Sequence, residues 1–198
     1  MINFGGFNKL ISDKSVNICE ISVEFNHGSL KFAQIKHRLI NCLINMTKTQ
    51  KAGRYIRMYK QLEDLLKNRP NSAACMSTIA AVLHNKMDYF FWTGFYLLDD
   101  GELIVGPYQG SLACIRLKKD TGVCWTGINT GKTIVVPDVH NFPDHIACDS
   151  RSNSEIVVPV VNKKGIIIGV LDVDSKEFNS FDEIDAEWLE KIVQFISH

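Results

Sequence analysis

Two short apolar runs near the C-terminal end, SEIVVPVV (154–161) and GIIIGVLDVDS (165–175), constrain this chain more than any other feature. Runs this short and this rich in Val and Ile read as strands of a well-buried sheet. The residues that join them, Asn162-Lys163-Lys164-Gly165, predict a hairpin turn in which the glycine adopts positive φ. A second hairpin is expected upstream, from FFWTGFYLL through Asp99-Asp100-Gly101 into ELIVG. Shorter strands are expected in LACIRL and TIVVPDV, with the helical segment VCWTGINTG between them.

Helical periodicity frames these strands. MYKQLEDLLKNRP predicts a helix stopped before Pro70, and Ala73 to Lys86 places Met76, Ile79, Ala80 and Leu83 along one face. At the other end Ser180 and Glu183 fit a capping box, and Ile184, Trp188, Leu189, Ile192, Val193 and Ile196 form a buried stripe. Strand hairpins between terminal helices predict an α+β domain, with a central antiparallel sheet carrying its N- and C-terminal helices on one face.

The chain has 198 residues, enough for one packed domain with an appended segment. Residues 58–198 carry the coherent patterning, and residues 1–57 read as an N-terminal extension without an assigned function. Within that extension SVNICEISVEF suggests a short strand, and Leu30 to Met46 a helix. No apolar run is long enough to span a bilayer, and the N-terminus lacks the features of a signal peptide, so a cytoplasmic location without membrane association is expected. Residues 1–70 hold twelve basic against five acidic residues, and residues 71–198 hold ten against seventeen. Because the better-patterned part is acidic, nucleic acid is not the expected partner; a small ligand bearing an ammonium group is.

Residues 89–175 are expected to form a compact β-rich pocket module centred on Cys148, within VPDVHNFPDHIACDSRSNSEIVVPV. Cys148 lies in an irregular polar stretch just before a strand, where function tends to concentrate. Cys114 and Cys124 share the patterned half, and no Cys-x-x-Cys pair or other common zinc spacing occurs. Taken singly, each cysteine could equally be inert packing. A reactive thiolate at Cys148 needs a nearby positive charge or hydrogen-bond donors; Arg151, His140 and His145 are the candidates, and Asp149 would oppose it.

Asp172 and Asp174 alternate along one strand and so share a face, and Glu155 opens the partner strand, so the three carboxylates can converge at one sheet end. A solvated strand end would look the same in sequence; burial would require a cationic or hydrogen-bonding partner. Trp92 and Tyr96 also share a strand face, with Gly94 between them, and form either sheet packing or an aromatic wall for an apolar or sulfur-containing group.

The ordered set PYQG, ACIR, GVC, VPDVH, HIACD, SEIVVP and GVLDVDS resembles the free methionine-(R)-sulfoxide reductases, enzymes built on a GAF domain. The resemblance runs from about Met58 to the C-terminus. It implies reduction of free L-methionine-(R)-sulfoxide to L-methionine through a cysteine sulfenic acid and a disulfide, with no bound cofactor or metal and a thioredoxin-like protein as electron donor. It makes Cys148 the catalytic residue, Cys114 the principal resolving residue and Cys124 an auxiliary thiol. Trp92 and Tyr96 match residues at the methyl-sulfoxide end of the substrate, and Glu155, Asp172 and Asp174 match the acidic ligand-binding set. It also implies a homodimer. Two positions depart from the family pattern: Trp125 and Asp144 each stand where glycine is common. A GAF sensor for a cyclic nucleotide or other small ligand, a thiol enzyme with another substrate, and a structural partner module are the competing functions, since one fold hosts many.

Overall fold

A computed structural model describes residues 29–68, 71–145 and 148–196, with side chains from residue 47 onward. The strand expected in SVNICEISVEF lies outside the described residues. The chain divides into two units, Met1–Lys48 and Thr49–His198. The described part of the first is helical backbone. Helix α1 is assigned over Ser29–Leu66, so the stretches expected at 30–46 and from Met58 belong to one element. Residues 47–57 contain no proline and one glycine, Gly53, which a helix tolerates at modest cost. No described helix is long and apolar enough to cross a membrane.

The second unit is built on a sheet of six antiparallel strands, β1 (Trp92–Asp99), β2 (Glu102–Gln109), β3 (Arg116–Leu117), β4 (Ile134–Val136), β5 (Ser154–Val161) and β6 (Ile167–Ser175). Their order is β3-β2-β1-β6-β5-β4, so the hairpin β5–β6 and strand β1 lie inside the sheet. The β1–β2 turn places Asp100 at φ 49° and Gly101 at φ 79°, the double positive-φ geometry that matches strand twist in a two-residue hairpin. Only Arg116–Leu117 of the expected LACIRL strand is extended in the sheet. The residues before it leave the ladder and carry Cys114 toward the loop that holds Cys148.

Alternation along the strands separates two cores. On one face Phe95, Ile156, Val158, Leu171 and Val173 pack against Tyr55, Met58, Leu62 and Leu66 of α1, helix α2 (Ser72–Lys86) and helix α4 (Glu183–Val193). The N- and C-terminal helices of the unit therefore share one face, as the pattern predicts. The other face carries Trp92, Tyr96, Val157 and Val170 beneath helix α3 (Gly122–Thr130), which contributes Val123, Cys124 and Trp125.

The cap of α4 differs from expectation. The N-cap is Asp182, whose carboxylate accepts from the backbone of Ile184 and Asp185, and Asp185 completes the box by accepting from the Asp182 backbone. Ser180 instead donates to Ser175 Oγ and the Glu177 carbonyl. Phe181 is buried in the helical-face core, which pins the chain after Ser180 and delays the helix start to Glu183.

Candidate active site

The α3 side of the sheet opens into a pocket, and the register of three strands sets its floor. Glu155 pairs with Asp174 across β5 and β6, while Trp92 and Gly94 of β1 pair with Asp174 and Asp172 from the other side. A period of two along each strand puts all of these on one face with Tyr96. Cys124 enters from the first turn of α3, and His145, Cys148, Asp149 and Ser152 form the wall opposite. The structure thus brings Trp92, Tyr96, Cys124, Cys148, Glu155, Asp172 and Asp174 to one cavity. Cys114 joins them through its disulfide to Cys148.

Two of the three carboxylates are held out of water. Glu155 is 5% exposed and Asp172 6%, whereas Asp174 is half-buried. Burial first, then repulsion from Asp172 and Asp174, pushes the Glu155 carboxyl well above its usual range. Burial raises Asp172 to about 7, and hydrogen bonds with Cys124 and Glu155 limit the rise. Asp174 is also raised, by desolvation and by Asp172; although half-buried, it lies among enough protein for desolvation to dominate. His145 Nδ1 lies 3.9 Å from Glu155 Oε2 and is an incomplete countercharge, because burial lowers the pKa of that imidazole. Among the described residues Asp172 Oδ1 finds no hydrogen-bond partner. Such a floor favours a ligand that brings positive charge and N–H donors.

An aromatic stack stands beside the floor. Trp92 lies between Tyr96 and Tyr108, with ring centroids 5.9 and 5.4 Å away. Gly94 makes the stack possible, because a Cβ there would overlap the Trp92 ring and the Tyr108 Cβ. The stack also holds the cysteine loop: Trp92 Nε1 donates to the Ser111 carbonyl at 3.1 Å, and Tyr96 Oη donates to the Cys114 carbonyl at 3.1 Å. Burial, and next the charge of Asp172, push the Tyr96 phenol far above its ordinary value, so it remains a donor.

The cysteines occupy different environments. Cys114 and Cys148 form a disulfide with Cα atoms 5.6 Å apart; Cys148 is exposed and Cys114 half-buried. Cys124 is free and 5% exposed. Burial first, then the charge of Asp172, Glu155 and Asp174, raises its thiol well above the ordinary value. That environment keeps Cys124 protonated and makes it a poor first nucleophile.

The charges expected around Cys148 are distributed otherwise. Arg151 donates to Asp149 through Nε at 2.9 Å and Nη2 at 2.6 Å, so its charge is committed to that carboxylate. Ser111 Oγ donates to Asp149 Oδ2 at 2.7 Å, tying the Cys114 loop to the Cys148 loop. Hydrogen bonds from Arg151 first and Ser111 second hold Asp149 well below the usual carboxylate range. His140 is exposed, pairs with Asp138 at 2.9 Å, and does not line the cavity; His145 does. Asp144 adopts φ 54°, the left-handed conformation that favours glycine. Trp125 packs into the second core, 3% exposed, with its Nε1 unpartnered among the described residues. The Ser111–Asp149–Arg151 clasp escaped the sequence reading; the adjacency of Asp149 and Arg151 was visible, but the long-range Ser111 contact has no local signal.

Comparison with known proteins agrees with this geometry. Residues 73–198 match the GAF domain family. The chain is 46% identical over 156 residues to GAF domain-containing protein A of Dictyostelium discoideum, covering 78% of this chain and 98% of that protein. It is 40% identical over 139 residues to the free methionine-R-sulfoxide reductase of Escherichia coli (strain K12), covering 70% of this chain and 84% of that protein. The structure of free methionine-R-sulfoxide reductase from Neisseria meningitidis in complex with its substrate superimposes with a TM-score of 0.71 at 42% identity, covering 74% and 88% of the two chains. With its sheet order, cysteine placement and matched residues taken together, the chain belongs to the GAF domain family and is closely related within it to the free methionine-R-sulfoxide reductases.

Proposed function

We propose that this protein reduces free L-methionine-(R)-sulfoxide to L-methionine. The observation that carries the proposal is the meeting of the Cys114–Cys148 disulfide with a buried three-carboxylate floor and an aromatic stack in one cavity. The carboxylates receive the substrate ammonium, and Trp92 and Tyr96 receive the methyl-sulfoxide end. A methionine sulfoxide within a peptide has an amide in place of that ammonium, so the free amino acid is preferred.

In the reduced protein the Cys148 thiolate attacks the sulfoxide sulfur while the oxygen takes up a proton. At least one carboxylate holds the ammonium, and Asp174 or Glu155 supplies the proton, since a raised carboxyl pKa keeps a proton available near neutral pH. Methionine departs and the oxygen remains on Cys148 as a sulfenic acid. The Cys114 thiol then attacks that sulfur, forming the disulfide and releasing the oxygen as water. Two thiols are oxidised for each sulfoxide reduced. A thioredoxin-like dithiol restores them by exchange, with Cys124 as an auxiliary thiol. Such recycling fits a reducing cytoplasmic setting, and the resemblance supports a homodimer as the working assembly.

The test is a turnover assay with thioredoxin, its reductase and NADPH. Consumption of the free (R)-sulfoxide is expected, with the (S)-epimer and peptide-bound sulfoxide nearly untouched. Folded, reduced protein that leaves the (R)-epimer intact would end the proposal.

A further inference from the structure

We propose that Cys124, Glu155 and Asp172 also form a binding site for a single thiophilic divalent cation of the Zn2+ class, occupied in competition with the amino acid. One donor atom from each residue lies within 4.8 Å of the other two, and all three residues are buried. Tetrahedral Zn2+ with bonds of about 2.0–2.3 Å sets its donors roughly 3.5 Å apart. Side-chain adjustment of about 1 Å therefore closes the set.

Two orphaned atoms independently point to a missing electrophile. Asp172, more than nine-tenths buried on the cavity floor, has an Oδ1 with no hydrogen-bond partner among the described residues. His145 lines the same cavity, and its Nε2 is likewise buried and unpartnered among the described residues, although its ring lies outside the close set of three donors. An ammonium supplies one positive charge to this carboxylate group; a divalent cation supplies two and takes the thiol as well. The soft sulfur selects Zn2+, Co2+ or Cd2+ over Mg2+ and Ca2+.

On binding, the Cys124 S–H bond breaks and its proton, with those held by Glu155 and Asp172, passes to solvent as sulfur–metal and oxygen–metal bonds form, with no change of oxidation state. Cys124 remains free when Cys114 and Cys148 are joined, so the site persists in the oxidised protein. Because Glu155 and Asp172 serve both occupants, the cation and the amino acid exclude one another. Thiophilic metal would thus hold the protein idle.

The test titrates full-length, disulfide-oxidised protein with Co2+ alone as a spectroscopic probe. A saturable thiolate-to-cobalt charge-transfer band in the near ultraviolet is expected, displaced by Zn2+ and absent in Cys124→Ser. Glu155→Gln and Asp172→Asn should each weaken binding by about tenfold or more. No band, or a band retained in folded Cys124→Ser, overturns the site. Should that variant fail to fold, Glu155→Gln and Asp172→Asn decide: a band of unchanged affinity in both overturns the site. In the wild type saturating L-methionine-(R)-sulfoxide is expected to remove the band, and an unchanged band in protein that turns the sulfoxide over overturns the competition. Only the competition arm rests on the proposed substrate. A Cys124-dependent band without sulfoxide turnover supports the metal site and removes the substrate assignment; turnover without such a band does the reverse.

Discussion

At the residue scale, Asp172 gives the site a measurable pH dependence. Its carboxyl is raised from the ordinary range to about 7 by burial. A raised folded-state value means that the unfolded chain loses this proton first. The associated stability is full below about pH 4 and is lost as pH rises toward about 7. Thermal melting without ligand should therefore show a downward contribution across that interval, diminished in Asp172→Asn and offset by saturating substrate, whose ammonium compensates the ionised acids. A wild type and a variant with parallel pH profiles would refute it. Under the proposed function the same substitution would remove a charge-assisted hydrogen bond to the ammonium and should raise KM by about tenfold or more. Cys148→Ser should abolish methionine release even in a single turnover, because a hydroxyl at that exposed position cannot substitute for the thiolate. Sulfoxide reduction by that variant would assign the nucleophile elsewhere.

At the element scale, strand β1 and the two cysteine loops act together. A Cβ at position 94 would meet the Trp92 ring and Tyr108, so Gly94→Ala should displace the stack, cost about 1–3 kcal/mol and raise KM. Tryptophan fluorescence, melting and steady-state kinetics report the three effects. Ser111→Ala removes the bond from the Cys114 loop to Asp149 but leaves Asp149 paired with Arg151. It should prolong the sulfenic acid while retaining first-turnover methionine release, as read by trapping with a sulfenic-acid-selective reagent. An unchanged trapping yield would remove Ser111 from any positioning role. The difference between strands and loops also explains what the sequence could tell. Asp172 and Asp174 share a face because a strand has period two, and hairpin register then places Glu155 opposite Asp174. Those placements follow from local pattern. The Ser111 contact depends on loop packing between residues 38 positions apart, whereas Arg151 is diverted to Asp149 by a partner only two residues away. The α4 cap was misread because the burial of Phe181, a tertiary event, outweighs a good local capping pattern.

At the scale of the whole catalytic unit, the sheet divides a structural face from a chemical one. Asp185, fully buried, accepts from Tyr55 and Tyr89 and pairs with Lys51 at 2.6 Å, knitting α1 and α4 together opposite the site. Asp185→Ala should destabilise the fold by about 3 kcal/mol, since it strands a charge and two hydroxyls. Denaturant melts should show the loss, while protein that remains folded should keep its KM. The three pocket acids lie on the inner strands β5 and β6, whereas the disulfide joins Cys114 and Cys148 outside the sheet. Inner strands and surface loops accept substitutions on different terms. Under the proposed function, evolution could therefore retune which protein delivers electrons by altering the rim, without relearning which amino acid is recognised below it.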